Sequence, residues 1–177
     1  MFIYISGGCK NGKSMLAQTL AKKLADGGPM YYIATMIPRD SEDDLRIARH
    51  IADRDGWGFE TIEQGTNLLK CLEKGSPDGT YLLDSVTAIM SNEMFSSQGV
   101  DHDAPQRVLA DLTEFARKVK NVVMVSDFIF GDAERYDEFT VEYRRGLAKA
   151  DRAALFADTV VEVCGGNYIV HKGELPL

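Results

Sequence analysis

The segment Gly7-Gly8-Cys9-Lys10-Asn11-Gly12-Lys13-Ser14 satisfies the pattern GxxxxGK[ST], directly after an apolar run at residues 2–5 and before a stretch with helical periodicity. No other feature narrows the fold so far, because such a turn has a use only where a strand hands over to a helix N-terminus. Its glycines let backbone N–H groups turn inward around phosphate oxygens, and the helix N-terminus adds partial positive charge at the same point. Lys13 adds a full charge, expected to reach the β- and γ-phosphates of a nucleotide, and the Ser14 hydroxyl is expected to hold Mg²⁺. Gly7, Gly8, Cys9, Lys10, Asn11, Gly12, Lys13 and Ser14 are therefore the candidate phosphate contacts. The backbone does most of the binding, and the Cys9 side chain need only fit. The competing interpretation is a glycine turn that binds nothing. It is disfavoured because lysine, hydroxyl, strand and helix fall in the required order.

The rest of the chain alternates in the same manner. Short, mostly apolar runs at residues 2–6, 30–35, 80–84 and 121–126 are bounded by turn or polar residues, as strands buried on both faces of a parallel sheet are. Between the first two, Leu16, Leu20 and Leu24 recur at helical spacing beside Ala17, Ala21 and Ala25, and Gly27-Gly28-Pro29 stops the helix. A second helix is expected over 42–54, where Leu45, Ala48 and Ala52 form one apolar line and Ile47 and Ile51 a neighbouring one. Residues 59–62 read as a lesser strand. Asp103, Pro105 and Gln106 read as N-cap, first helical residue and capping-box partner of a helix to about 119, preceded by an exposed loop at 96–102. After a charged connection at 127–137 come a helix to about 156 and two strands, 159–163 and 168–172, joined as a hairpin by Cys164-Gly165-Gly166-Asn167. The expected fold is α/β: a P-loop NTPase-like, mostly parallel central sheet flanked by helices, with a C-terminal β-hairpin.

With 177 residues, no internal repeat and no long linker, residues 1–177 are expected to form a single nucleotide-binding domain. Twenty Lys and Arg against 27 Asp and Glu give a net charge of −7, which argues against a nucleic-acid or anionic-membrane surface. An anionic ligand must then be met by a local site. Cys9, Cys71 and Cys164 form no CxxC pair, so reduced thiols are expected rather than disulfides or a zinc site. No apolar run approaches the ~20 residues of a membrane span, and the first is too short for a secretory leader. A cytoplasmic protein is the expectation.

Asp84 closes the 80–84 strand, which puts its carboxylate at the C-terminal edge of the sheet, where open α/β folds bind ligands. With the loop beside it, a role at Mg²⁺ is favoured over a simple turn residue. His50 lies on the second helix among Arg46, Arg49 and Arg54. On spacing alone this would be a solvated amphipathic helix.

Resemblance changes that balance. Tyr32-Ile33-Ala34-Thr35, Asp40, Glu42, Arg46-Ile47-Ala48-Arg49-His50 and Arg54 resemble the pattern of the bifunctional adenosylcobinamide kinase and adenosylcobinamide-phosphate guanylyltransferase family. The phosphate loop, Phe59-Glu60-Thr61-Ile62-Glu63 and Leu82-Leu83-Asp84-Ser85-Val86-Thr87 are similar to it too. The resemblance implies two reactions: phosphorylation of adenosylcobinamide by ATP or GTP, then transfer of GMP from GTP through a guanylylated histidine. His50 occupies the matching position and, with Lys13, is the implied catalytic residue; a neutral imidazole can attack an α-phosphate and leave again. Arg49 and Arg54 are placed to neutralise triphosphate charge, though both can equally be surface residues. The implied nucleotide site adds Ile33, Ala34, Thr35, Ile51, Ala52, Asp53, Arg54, Glu63 and Asp84. A corrinoid acceptor and a homo-oligomer, a trimer, are also implied.

The second half departs from the pattern. The family's Val-Ser-Asn-Glu-Val-Gly appears as Val125-Ser126-Asp127-Phe128-Ile129-Phe130-Gly131, with a ring in place of the glutamate. Its Phe-Arg-Asp-x-x-Gly-x-x-Asn-Gln appears at Tyr143-Arg144-Arg145, with Ala148, Asp151 and Arg152 where the family has Gly, Asn and Gln. Two alternatives follow: a P-loop small-molecule kinase without guanylyl transfer, and a non-catalytic nucleotide-binding regulatory protein. Elsewhere, His102 between Asp101 and Asp103 reads as a polar loop, His171 shows no partner, and Met90, Met94 and Phe95 read as core or subunit contact.

Overall fold

The computed structural model describes residues 1–38, 40–97 and 99–176, apart from the side chain of Asp53. In chain order the elements are β1 (Phe2–Gly7), α1 (Lys13–Ala25), β2 (Met30–Ala34), α2 (Ser41–Asp53), β3 (Glu60–Glu63), β4 (Thr80–Asp84), α3 (Val86–Met94), β5 (Phe95–Ser96), β6 (Gly99–Val100), α4 (Ala104–Lys118), β7 (Asn121–Asp127), α5 (Glu138–Ala150), β8 (Thr159–Cys164) and β9 (Asn167–Lys172). Short 3-10 segments cover Leu68–Glu73 and Asp151–Phe156. The main sheet has the order β3-β2-β4-β7-β1-β8-β9, parallel throughout except for β9, which returns antiparallel to β8 as the expected hairpin.

Strand alternation divides the core into two layers. Ile3, Ile5, Tyr32, Leu82, Val123 and Val125 face α1, packing on Ala17, Leu20 and Ala21. Tyr4, Ile33, Tyr81, Leu83, Val122 and Met124 face the other way, under α3, α4 and α5. Burial on both faces is why these strands read as continuous apolar runs. The parallel order also delivers the C-terminal ends of β1, β7 and β4 to one edge, with Gly7 paired to Asp127 and Asp84 to Val125.

Three local expectations need correction. Asp103 sits at the N-terminus of α4 but makes no side-chain cap; Asp101 accepts instead, from the Asp103 N–H at 2.9 Å and the Ala104 N–H at 3.2 Å. His171 does have a partner, Glu162, at 2.8 Å across the hairpin. The 96–102 loop contains the small β5–β6 ribbon. Met90 and Met94 are fully buried core, and His102 contacts Glu142 at the surface.

Candidate nucleotide site

The loop between β1 and α1 needs backbone freedom at both ends. A Cβ at Gly7 would lie 2.3 Å from the Val163 carbonyl oxygen, so only glycine lets β1 pass β8 here. Gly12, at φ 89°, turns the chain into α1 from the left-handed region. Unlike α2, α3 and α5, which are capped by Asp40, Ser85 and Asp137, α1 begins on Gly12 with no side-chain cap and no acidic residue in its first turn. Its first N–H groups are thus left for an external anion. Lys13 is only 6% exposed; its ammonium donates to the Gly8 carbonyl at 2.6 Å and pairs with Asp127 at 2.8 Å.

Beside the loop, the Ser14 hydroxyl donates to Asp84 Oδ2 at 2.9 Å, and the Tyr32 hydroxyl donates to the same oxygen at 3.2 Å. Burial, reinforced by the Asp84 charge, pushes the Tyr32 hydroxyl well above its ordinary pKa, so it stays a donor. The Arg54 guanidinium lies 4.1 Å from the Tyr32 ring centre and donates to the His50 carbonyl at 2.8 Å and to Thr61 at 3.4 Å. A continuous line of contacts, Ser14, Asp84, Tyr32, Arg54, His50, therefore joins the phosphate loop to the last turn of α2. The His50 side chain is half-buried. Thr35 closes the floor: its buried hydroxyl donates to the Ser85 carbonyl at 3.1 Å and accepts from the Ser85 N–H at 2.7 Å.

On the other side, the Asp127 N–H donates to the Thr87 hydroxyl at 2.8 Å, and Tyr143 donates to the Thr87 carbonyl at 2.9 Å. Below them, Asp151 Oδ1 accepts from Tyr4 at 2.6 Å and Ser126 at 2.7 Å. Phe128 projects outward, 51% exposed, edge-on to Phe130.

The hydroxyl and carboxylate of Ser14 and Asp84 are hard oxygen donors in contact, half-buried and open on the loop side, a donor set that suits Mg²⁺ sharing its shell with water and phosphate. Among the described residues no three His, Cys, Asp or Glu side chains form a closed metal cage.

The family model for cobinamide kinase / cobinamide phosphate guanyltransferase matches residues 3–170, nearly the whole chain. The chain belongs to that family. Solved structures give the fold alone. A KaiC-like protein from Pyrococcus horikoshii is 14% identical with a TM-score of 0.55, covering 98% of this chain and 79% of that one. A solved ATPase domain is 13% identical with a TM-score of 0.60, covering 97% of this chain and 76% of that one. No curated protein matches the sequence.

For a member of the cobinamide kinase / guanyltransferase family, the structure sorts the expected site residues into groups. Ser14 and Asp84 are in direct contact beside Lys13, Arg54 joins them through Tyr32, and His50 meets Arg54 only by its backbone carbonyl. Cys9 and Lys10 are exposed on the loop, and the Asn11 amide reaches back to the Val163 carbonyl at 3.5 Å. The Ile33 side chain is wholly in the core with Ile62 and Leu83, so only its backbone is available at the nucleotide edge. Thr35 likewise is occupied in holding Ser85. Ala34 is half-buried, Ile51 and Ala52 are exposed on α2, and Glu63 is exposed at the end of β3 with its carbonyl accepting from Lys74 at 3.1 Å. The Asp53 side chain lies outside the described residues. Two participants were missed, Tyr32 and Asp127. A tyrosine in an apolar strand reads as core, and an aspartate after Ser126 reads as a turn; only the pairing of β7 with β1 sets Asp127 against Lys13.

No helix among the described residues is long and apolar enough to cross a membrane.

Proposed function

We propose that this chain phosphorylates adenosylcobinamide with ATP or GTP and then transfers GMP from GTP to the product through a guanylylated His50. The observation that carries the proposal is the contact line from Ser14 through Asp84, Tyr32 and Arg54 to the His50 backbone carbonyl, which ties the end of α2 that bears the histidine to the phosphate loop. The open N–H groups of α1 and the Lys13 ammonium hold the β- and γ-phosphates once Lys13 leaves Asp127. Ser14 and Asp84 would hold Mg²⁺, whose charge offsets that of the phosphates. For the second reaction a His50 ring nitrogen attacks the α-phosphorus, an N–P bond forms, and the bond to the β-phosphate oxygen breaks with pyrophosphate leaving. An oxygen of the acceptor phosphate then attacks the same phosphorus, and the imidazole departs. Arg54, already at the end of α2, neutralises charge during both steps. A homo-oligomer belongs to the same proposal, since a bulky corrinoid needs more surface than the loop offers.

Incubation with labelled GTP and magnesium tests the covalent half. An acid-labile GMP adduct is expected, absent in His50→Ala; no adduct, or one that survives the substitution, would reject it. A second reading, a kinase without guanylyl transfer, is favoured by the exposed Phe128 ring where the family has glutamate. It predicts adenosylcobinamide phosphate as the only corrinoid product from ATP and GTP together.

A further inference from the structure

We propose that Asp127 is the proton acceptor for phosphoryl transfer, held off by Lys13 until a triphosphate takes the lysine away. This rests on the kinase reading above and deepens it by assigning the base. The pair is built rather than incidental. Lys13 is almost wholly buried, and Asp127 is the carboxylate it meets, at 2.8 Å. The backbone that carries the carboxylate is fixed: the Asp127 N–H donates to the Thr87 hydroxyl at 2.8 Å, and the Phe128 N–H donates to the Gly7 carbonyl at 2.8 Å within the parallel pairing of Gly7 with Asp127. That pairing sets Asp127 at the root of the phosphate loop, on the strand between the loop and Asp84. With Asp84 committed to Ser14 and Tyr32, Asp127 is the carboxylate at this edge whose described ion pair a phosphate must break.

An incoming triphosphate draws the Lys13 ammonium to its β- and γ-oxygens, and Asp127, at the root of the loop, loses that ion pair. The acceptor hydroxyl oxygen attacks that phosphorus, the bond to the β,γ-bridging oxygen breaks, and the nucleoside diphosphate leaves with the electron pair. The hydroxyl proton passes to the Asp127 carboxylate and then to solvent. The exposed side of Asp127 gives that hydroxyl a way in.

Asp127→Asn separates the two duties. Without the competing carboxylate, binding of a non-hydrolysable ATP analogue should tighten about tenfold, worth ~1.4 kcal/mol. Single-turnover phosphorylation of adenosylcobinamide at saturating ATP should fall roughly 10²–10⁴-fold. Asp127→Glu, which keeps a carboxylate, should recover part of the rate; should Asp127→Asn fold poorly, Asp127→Ser takes its place. If the wild type transfers phosphate and Asp127→Asn is equally fast, the base role is overturned and the kinase reading stands. If binding weakens together with rate, Asp127 serves only to position Lys13, and the inference is again overturned. If the wild type phosphorylates nothing, the kinase reading falls and takes this role with it.

Discussion

Gly7 carries a backbone constraint that no nearby side chain can relieve, because what a Cβ would strike is a carbonyl of the neighbouring strand rather than a movable group. Gly7→Ala must therefore part β1 from β8 or shift the loop. A loss of about 1–3 kcal/mol is expected, read as a lowered urea midpoint, and an unchanged midpoint would show that the strands can separate freely. Asp151 presents the opposite situation. Burial raises its pKa above the ordinary 3.8 despite the hydrogen bonds from Tyr4 and Ser126 that favour the anion. The folded chain thus holds that proton more tightly than the unfolded one, so the contribution is fully present below the unfolded pKa and is lost as pH rises through the folded value. Both hydroxyls bond to the same oxygen, which an amide carbonyl can replace, so Asp151→Asn should keep both bonds and remove the charge. The variant should melt higher than wild type at neutral pH, with the difference shrinking in acid. A difference that grew in acid would contradict the buried-charge account.

Helix α2 is the element most weakly tied to the core. None of its described side chains is fully buried, Leu45 and Ile51 are more than half exposed, and its described anchor to the sheet is Arg54 on Tyr32. Few buried contacts imply a low local opening free energy. Amides of 43–52 should exchange with deuterium at least about tenfold faster than those of α1, and GTP with magnesium should slow them if His50 engages the nucleotide; equal protection of the two helices would refute this. The same element shows what a sequence can and cannot convey. Periodicity marked α1 and α2, terminal signals marked α4, and short apolar runs between turn residues marked the strands of the main sheet, whereas the β5–β6 ribbon read as loop. Helix α3 escaped notice, although Ser85 caps it and Val86, Ile89, Met90 and Met94 share one face, because it follows β4 without a turn and its nine residues extend an apolar run. Lys13, Ser14, Asp84 and His50 were visible because motif or resemblance marks them. Tyr32 and Asp127 depend on strand order, which no local pattern encodes.

At the scale of the whole molecule, the phosphate loop has stability to gain from an anion: α1 begins uncapped, and Lys13 depends on Asp127 for compensation. A ligand that binds only the folded form stabilises it by RT ln(1 + [L]/Kd), about 2.7 kcal/mol at a hundredfold excess over Kd. For a domain of this length each kcal/mol is worth roughly 2–4 °C, so ATP with magnesium should raise the melting temperature by about 5–11 °C. Lys13→Ala removes the charge that meets the phosphates and leaves Asp127 unpaired, and should cancel most of that rise while lowering the ligand-free midpoint. The net charge of −7 sharpens the test, because a chain that repels anions generally should gain nothing from polyphosphate binding outside the loop. Equal upward shifts in wild type and Lys13→Ala would move the nucleotide away from the loop and leave the Asp127 ion pair as a structural contact alone.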